Sequence, residues 1–461
     1  MNDRMAPSAR QSELDDFLAR HPDVAVIDAF VSDLSGILRG KRLSRADAEK
    51  LYGEGLLLPG TTFLLDVTGG SCDPGGRGFS DGDPDHVLKP VPGTLAPIPW
   101  ADRPSGQVLM TTFEPDGSRF VADPRHVLAG VVERFAEDGL TPVVAVELEF
   151  YLIDAQRAAD GMPQVPIMPR TGRRADSLQV YGIAELDDFA ALFAEVAAFS
   201  AAQNIPAAAA SAEFAPSQYE INLVHTDDPL AAADHGVLLQ RVIKATAKRH
   251  GVEATFISKP FVDRSGSGLH FHISLLDEAG RNIFQKGEAP EGSAALRHAV
   301  GGMAATMSEA MAIFAPNVNG YRRLTPGAYA PHAPTWGVNN RTVAMRIPGG
   351  SGANRRIEHR VAGADANIYL ALASVLAGIH HGIENALDPG PPITGSAYQK
   401  VSPALPPTWR DALDVFKAAK ILPRYFGAEY CLLYHAVKQG EMAAFLARPT
   451  ALEYAWYLRT D

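Results

Sequence analysis

One short segment limits the possible folds more than any other part of this 461-residue chain. Residues 143–152 (VVAVELEFYL) alternate, so that Glu147 and Glu149 lie on one face of a strand and apolar residues lie on the other. Two neighbouring carboxylates on one face repel each other unless a cation lies between them. The apolar residues predict a sheet with one buried side, and a solvated polar face of an antiparallel sheet is the alternative for the glutamates.

Two more glutamates and two histidines occur in similar contexts. Glu213 and Glu220 would point to opposite faces of an uninterrupted strand, but a proline-serine pair between them breaks the ladder and allows both to turn inward. His270 and His272 follow a glycine-rich turn on one strand face, where a ligand can come close to the backbone. A surface position for these glutamates and an ordinary core position for the histidines are the alternatives.

The region from residue 322 to residue 360 contains seven arginines and no lysine. Planar guanidinium groups suit phosphates and carboxylates, and glutamates suit hard divalent cations. Glu358 and Arg360 alternate on one strand, so that an acid can bind a metal while the arginine beside it binds an anionic substrate. A surface ladder of ion pairs is the alternative. The sequence therefore predicts phosphate, metal and carboxylate chemistry in one site.

Composition argues against several classes of protein. A net charge of -11 leaves no overall electrostatic attraction to nucleic acid or anionic lipid. The N-terminal residues form no apolar signal segment, and the longest apolar run, residues 368–379, is too short to span a bilayer. Cys72 and Cys431 have no metal-type spacing, which fits a reducing compartment. We expect a cytoplasmic protein with no membrane or nucleic-acid partner.

Turn signals predict a small β-rich region at the start of the chain. Residues 24–31 and 37–43 flank a turn signature and predict a hairpin. Glycine, proline and aspartate between residues 71 and 106 predict a long loop, and the proline-rich stretch 389–407 predicts another. The pattern changes near residue 122, which gives predicted domains of residues 1–122 and 123–461.

Helices and strands alternate irregularly in the second region. Asp123 followed by proline predicts a helix start, Gly139 predicts its end, and residues 143–153 predict a strand. Helical periodicity returns near residues 187–203, 229–249, 294–314, 365–385 and 409–418.

A series of motifs resembles the glutamine synthetase superfamily in order and spacing, and it covers most of residues 20–460. The motifs are Glu147-Leu-Glu149, residues 213–220 (EFAPSQYE), 266–270 (GSGLH), 319–327 (NGYRRLTPG), 340–348 (NRTVAMRIP) and 355–360 (RRIEHR). The resemblance implies an α+β fold: a small β-grasp N-terminal domain and a large catalytic domain whose curved antiparallel sheet forms a funnel flanked by helices. It also implies a homo-dodecamer of two hexameric rings, with active sites shared between neighbouring subunits.

The resemblance assigns candidate roles by position. The metal ligands, for two or three Mg²⁺ or Mn²⁺ ions, are Glu149, Glu213 and Glu220 on one side and Glu147, His270 and Glu358 on the other. Substrate glutamate is assigned to Gly266, Arg323, Arg360 and Ser265, although the family commonly has asparagine at position 265. ATP is assigned to Ser274, Arg341, Arg346 and Arg356, and the candidate catalytic residues are Arg341 and Tyr329.

The implied reaction is that of an ATP-dependent ligase, in which the γ-carboxylate of glutamate takes the γ-phosphoryl group of ATP and an amine then displaces phosphate. The acids that bind ammonium in this family are missing. Tyr329 stands at the position of the loop glutamate, the loop of residues 325–338 contains no acid, and Pro59 stands at the position of the N-terminal aspartate. Ammonium should bind poorly, because a compact cation needs charge or several acceptors to leave water.

Three aromatic residues offer surface for a larger amine: Tyr329, Trp336 and Phe63, with simple packing as the alternative. Ser217, where the family commonly has glycine, is a further departure. The chain most resembles the branch of γ-glutamylpolyamine and γ-glutamylputrescine synthetases, which serve amine catabolism. A glutamine synthetase that uses ammonium and a non-catalytic structural relative are the alternatives.

Overall fold

The computed structural model describes residues 7–176, 179–285, 292–325, 327, 329–350 and 352–460. Two positions of the acid-free loop, Pro326 and Ala328, lie outside the described residues. The strands of the described part form two sheets. Those of the first sheet are β1 (Val26–Ser32), β2 (Leu38–Ser44), β3 (Leu56–Pro59), β4 (Asp85–Pro90), β5 (Ala96–Pro97) and β6 (Ser105–Phe113).

The first sheet has the order β2-β1-β6-β4-β3, with β5 beside β6. β1 and β2 pair antiparallel, which confirms the hairpin predicted from the turn signature. The loop predicted between residues 71 and 106 is wrong, since this stretch contains β4, β5 and the start of β6. Its glycines and prolines masked the alternation of β4, in which His86, Leu88 and Pro90 are buried.

The second sheet is curved, largely antiparallel, and has the order β12-β13-β14-β11-β7-β9-β8, with β10 beside β7. Its strands are β7 (Thr141–Asp154), β8 (Ala207–Ala212), β9 (Gln218–Leu223), β10 (Val252–Thr255), β11 (Leu269–Leu276), β12 (Trp336–Val338), β13 (Met345–Ile347) and β14 (Ile357–His359). This α+β architecture confirms the predicted fold class. The domain boundary at residue 122 and the β-grasp assignment stay predictions.

The helices of the described residues confirm the predicted helical stretches and add several that periodicity missed. They are α1 (Pro7–Arg20), α2 (Ala48–Gly53), α3 (Pro124–Glu137), α4 (Ile183–Asp187), α5 (Ala190–Ala202), α6 (Pro229–Arg249), α7 (Ala294–Phe314), α8 (Val318–Arg323), α9 (Ile368–Glu384), α10 (Ala397–Lys400), α11 (Trp409–Lys417), α12 (Leu422–Phe426), α13 (Ala428–Leu446) and α14 (Ala451–Tyr457). Asp123 caps α3 by accepting a hydrogen bond from the Arg125 amide, as its sequence predicts. Within the described residues, none of these helices has the length and apolarity needed to cross a membrane.

The packing of β7 explains which face of the second sheet is free to form a site. Val144, Val146, Leu148 and Phe150 are fully buried, and helices α3 and α6 pack against this strand. Glu147 and Glu149 alternate with these residues and therefore project from the other face. That face holds the residues described below.

Candidate active site

Cross-strand pairing gathers the candidate metal ligands on one face of the second sheet. Glu147 on β7 lies opposite His270 on β11, and Glu149 lies opposite Glu220 on β9. On the other side of β11, His272 lies opposite Glu358 on β14. Residues paired directly across two strands point to the same face of the sheet, so these side chains converge. A surface ion-pair ladder is excluded for Glu358, because only 1% of this residue is exposed.

Two groups of these residues offer ligand atoms that lie within 4.8 Å of one another. One group is Glu147, His270 and Glu358, and the other is Glu149, Glu220 and His270. Carboxylate oxygens with one imidazole nitrogen suit Mn²⁺ or Mg²⁺. Nδ1 of His270 is buried and lies 3.4 Å from Glu147 Oε2, and no described residue satisfies it with a well-formed hydrogen bond, so it is available as a ligand atom. The donor set therefore fits the implied divalent ions.

Glu213 reaches the same cavity from a tight turn between β8 and β9. The turn is closed by a hydrogen bond of 2.8 Å from the Glu213 amide to the carbonyl of Gln218. Ser217 within it has φ +61°, a left-handed conformation that explains why glycine is common at this position in the family. The predicted break between Glu213 and Glu220 is thus a hairpin turn. Glu213 lines the cavity but does not belong to either compact group of ligand atoms.

Five of the seven clustered arginines surround the same cavity: Arg323, Arg341, Arg346, Arg356 and Arg360. Arg346 donates to Glu358 Oε2 at 2.7 Å, and Arg360 donates to the other oxygen of the same carboxylate. The Nε atoms of both arginines are buried, and the described residues provide no acceptor for them. Arg356 Nε donates to His272 Nδ1 at 3.0 Å, and His272 Nε2 lies 2.8 Å from Glu147.

The glycine turn before β11 is shaped by Arg323. The Arg323 guanidinium donates to the carbonyls of Val361 at 2.8 Å and Arg360 at 3.3 Å, and Arg323 is only 4% exposed. A Cβ atom on Gly266 would lie 2.6 Å from Cγ of Arg323, so no larger residue fits there. The carbonyl of Gly266 accepts a hydrogen bond of 3.0 Å from Gln218. The predicted substrate residues Ser265, Gly266, Arg323 and Arg360 therefore lie together.

The cavity has a volume of about 490 Å³, and it is lined by every residue that the resemblance assigns to the metals, glutamate, ATP or catalysis, except Ser274. Ser274 lines a second cavity of about 870 Å³ on the same side of β11. Glu147, His272 and Arg356 line both cavities, so the two spaces are neighbours.

Only one of the three predicted aromatic residues reaches the main cavity. Tyr329 lines it, with 45% of the residue exposed. Phe63 is 1% exposed and packs on Phe120 with ring centroids 5.5 Å apart. Trp336 is 2% exposed and donates to the carbonyl of Gly390 at 3.1 Å. The suggestion that Phe63 and Trp336 offer aromatic surface to an amine is therefore wrong within this chain.

Sequence reasoning missed several residues that line the cavity, notably Tyr181, Phe214 and Gln218. It placed His272 on the strand but gave it no role. Phe214 and Gln218 both lie within the motif of residues 213–220, so their position between two candidate ligands was the available signal. Tyr181 precedes a short helix and carries no motif of its own.

Burial and like charge shift the pKa of two glutamates upwards. Burial is the main cause for Glu220, and the carboxylates of Glu147 and Glu149 reinforce it, so that the pKa is raised to about 9. Burial, followed by Glu149, raises the pKa of Glu213 to about 8. The two groups are therefore largely protonated near neutral pH when no cation is bound.

In the other half of the site, the pKa values of two glutamates are shifted downwards instead. Burial favours the neutral form of Glu147, but contacts with His270 and His272 outweigh it and hold the pKa below its usual range. Burial also opposes the charge on Glu358, and Arg360 outweighs it, which brings the pKa to about 2. This half is ready to bind a cation without first losing a proton from either acid.

We expect Mg²⁺ binding to strengthen, and to release protons, as pH rises from about 6.5 to about 8.5. A bound ion must displace the protons that Glu213 and Glu220 hold up to about pH 8 and about pH 9. The native state keeps these protons, whereas the unfolded chain loses them above about pH 4.3. The free energy of unfolding of the metal-free protein therefore falls as pH rises from about 6.5 to about 8.5. Calorimetric titration in buffers of different ionisation enthalpy measures the release. A pH-independent affinity with no proton release would contradict the prediction.

The comparison with known proteins agrees with this geometry. Residues 121–457 match the family described as glutamine synthetase, catalytic domain. The chain therefore belongs to the glutamine synthetase family, and it is an ATP-dependent ligase.

Two relatives within the family and one solved structure are similar to this chain over nearly its whole length. The chain is 40% identical over 452 residues to gamma-glutamylputrescine synthetase of Escherichia coli (strain K12), covering 98% of this chain and 95% of that protein. It is 31% identical to the glutamate–isopropylamine ligase of Pseudomonas sp, with 96% of each chain covered. The solved structure of a GmaS/ADP complex superposes with a TM-score of 0.83 at 27% identity, covering 96% of this chain and 99% of that one.

Proposed function

We propose that this enzyme joins the γ-carboxylate of glutamate to an organic amine through γ-glutamyl phosphate, using ATP. The observation on which the proposal rests is the presence of an aromatic residue, Tyr329, at the edge of the cavity. Tyr329 lines the cavity at the position that the family resemblance gives to the loop glutamate of glutamine synthetases, and its ring contacts Phe214 with centroids 5.5 Å apart. Two relatives are named for the organic amines putrescine and isopropylamine, which supports such an acceptor and a role in amine catabolism.

Glutamate would be held by the arginine and glycine end of the cavity. Arg360 is only 6% exposed, and its Nε, which has no acceptor among the described residues, is a donor for the substrate carboxylate. Arg323 donates to the Arg360 carbonyl and so fixes this position, and the missing side chain of Gly266 lets Arg323 pack directly against the backbone there. A bound carboxylate would satisfy a buried donor for which the described residues provide no acceptor, which favours binding.

ATP would lie along the border between the two cavities. Ser274 faces the larger cavity, and Arg356 lines both, so the base end of the nucleotide is assigned to the larger space and the phosphates to the border. Arg341 and Arg346 complete the phosphate-binding set. Divalent cations held by the two glutamate-histidine groups would neutralise phosphate oxygens there.

The chemistry follows from this placement. An oxygen of the γ-carboxylate attacks the γ-phosphorus of ATP, ADP leaves, and the neutral amine then attacks the acyl carbon. The bond between that carbon and the phosphate oxygen breaks and the nitrogen gives up one proton, which the departing phosphate takes, so that an amide and inorganic phosphate are formed. The arginines of this chain hold the reacting groups in line and stabilise the charge on the transferred phosphoryl group. Arg341 lines the cavity close to this transfer and is the candidate catalytic arginine.

A panel of acceptors tests the proposal. Phosphate release with ATP, glutamate and Mg²⁺ should be faster with at least one mono-, di- or polyamine than with ammonium at equal concentration, because no acid of the described loop compensates the charge of ammonium. Saturation by ammonium with no gain from any organic amine would instead establish glutamine synthetase activity. Tight Mn²⁺ binding without any ATP turnover would support the non-catalytic alternative.

The proposal also includes the oligomeric assembly of the enzyme and its location in the cell. The family resemblance supports a homo-dodecamer of two hexameric rings, in which the region around Pro59 contributes to a neighbouring subunit's site. It also supports a cytoplasmic enzyme. Light scattering of the purified protein measures the assembly, and a mass equal to one chain would contradict it.

A further inference from the structure

Three aromatic side chains that line the main cavity are well exposed, namely Tyr181, which is 57% exposed, and the neighbouring pair Phe214 and Tyr329. Phe214 is 43% exposed and Tyr329 is 45% exposed, although both line a deep polar cavity. Their rings are tilted at 54° to one another, with centroids 5.5 Å apart. Apolar surface gathered in a pocket beside a few polar groups is typical of a ligand contact.

Phe214 is held close to the predicted position of the glutamate substrate. Its neighbour Glu213 is fixed by the backbone hydrogen bond to Gln218, and Gln218 also donates to the carbonyl of Gly266. The carbonyl of Phe214 accepts a hydrogen bond of 3.4 Å from the Ser265 hydroxyl. The turn that carries Phe214 is therefore tied directly to the two candidate substrate residues.

Tyr329 is held by the proline-rich stretch of residues 389–407. The Tyr398 hydroxyl donates to the Ala330 carbonyl at 3.0 Å, and the His332 carbonyl accepts from the amides of residues 404 and 405 at 3.0 and 3.1 Å. The rings of His332 and Tyr398 also pack with centroids 5.1 Å apart. Tyr329 itself has φ +52°, which L residues rarely adopt, and the contacts of Ala330 and His332 anchor the backbone that directly follows it.

The polar groups of the cavity have other partners. Every carboxylate that lines it within the described part of the chain belongs to the candidate metal-ligand set, and the proposed function assigns the arginines of the cavity to glutamate and phosphate. Recognition of the remainder of an amine therefore falls to the aromatic surface.

We propose that Phe214 packs, with Tyr329, against the carbon chain of the amine acceptor and sets the preferred length of that chain. The inference rests on the proposed function, since it requires an organic acceptor. It assigns acceptor selection to Phe214, a residue outside both ligand groups and the arginine set. Linear amines with several methylene groups are the class of substrate that this surface fits.

A series of linear amines from methylamine to pentylamine tests the inference. Burial of each methylene group against the two rings should raise kcat/KM of the wild-type enzyme about four-fold. In Phe214→Ala the gain should fall below about two-fold per methylene, because the apolar surface is lost. The KM for the longer amines should rise more than the KM for glutamate.

Two further variants keep the test decisive. Phe214→Gln retains the length of the side chain but not its apolar ring, and it should show the same flattened series even if the alanine variant unfolds. Phe445→Ala is the matched control, because Phe445 is 45% exposed on α13 and does not line the cavity. It should retain the wild-type series.

The possible failures are distinguishable. A wild-type enzyme that accepts no organic amine would contradict the proposed function itself. A wild-type enzyme that prefers longer amines, with the same chain-length dependence in folded Phe214→Ala and Phe214→Gln, would overturn the role of Phe214 and leave the proposed function intact.

Discussion

Glu358→Gln is expected to lower turnover with every acceptor by at least about 100-fold. The substitution keeps the shape of the side chain but removes the charge that belongs to one candidate metal group. It also leaves Arg346 and Arg360 without the carboxylate to which both donate in a buried environment. The affinity for Mg²⁺ should fall together with kcat, and calorimetric titration and phosphate release measure the two effects.

The matched control for this prediction is Glu253→Gln. Glu253 forms an ion pair with Arg157 on the surface, where both side chains are well exposed, and it does not line the cavity. An exposed pair contributes little to stability, so this variant should keep wild-type turnover. Turnover of folded Glu358→Gln within a few-fold of wild type would contradict the assignment of Glu358 to the metal site.

Tyr329→Glu is expected to shift the preference from the best organic amine towards ammonium by about 10- to 100-fold in the ratio of kcat/KM values. The new carboxylate would provide a charged acceptor for a compact cation at the cavity edge. It would also remove the aromatic surface that faces Phe214, so organic amines should lose affinity. Both residues are L amino acids, so the left-handed backbone at this position disfavours them similarly.

Tyr329→Gln separates charge from size in this experiment. Glutamine has nearly the same shape as glutamate and no negative charge, so it should weaken organic amines without improving ammonium. Competition between ammonium and the best amine, followed by quantifying both products, gives the ratio directly. An equal response to ammonium in the two variants would contradict the account of the missing acid.

The two faces of the central strand β7 and the start of helix α3 were predictable, because local sequence determines both. Alternation over residues 143–152 places Glu147 and Glu149 on one face whatever the rest of the fold does, and β7 has this arrangement. Asp123 and the following proline define the start of α3 for a similar reason, since a helix cap needs only the first turn. The order of the strands depends on long-range contacts and was not predicted, and the grouping of His270 with Glu147 in one metal site followed only from the family resemblance.

Aromatic residues show why the rest of the site could not be derived from sequence alone. Trp336 and Phe63 are aromatic, as expected of residues in an acceptor pocket. Tertiary packing nevertheless buries both side chains, so neither is available to a substrate within this chain. Phe214 lies between two candidate ligands in the sequence, but nothing there shows that its ring is exposed, and it reaches the cavity because the turn after β8 reverses the chain. Exposure of an aromatic ring is decided by what packs on it, which a single sequence does not reveal.

The transfer of oxygen from glutamate to phosphate tests the central claim most directly. If the γ-carboxylate is activated as an acyl phosphate in this site, glutamate labelled with ¹⁸O in that group should yield inorganic phosphate that carries one labelled oxygen for each amide formed. Mass spectrometry of the phosphate released with ATP, Mg²⁺ and the best organic amine gives the answer. Unlabelled phosphate produced in step with the amide would contradict the account.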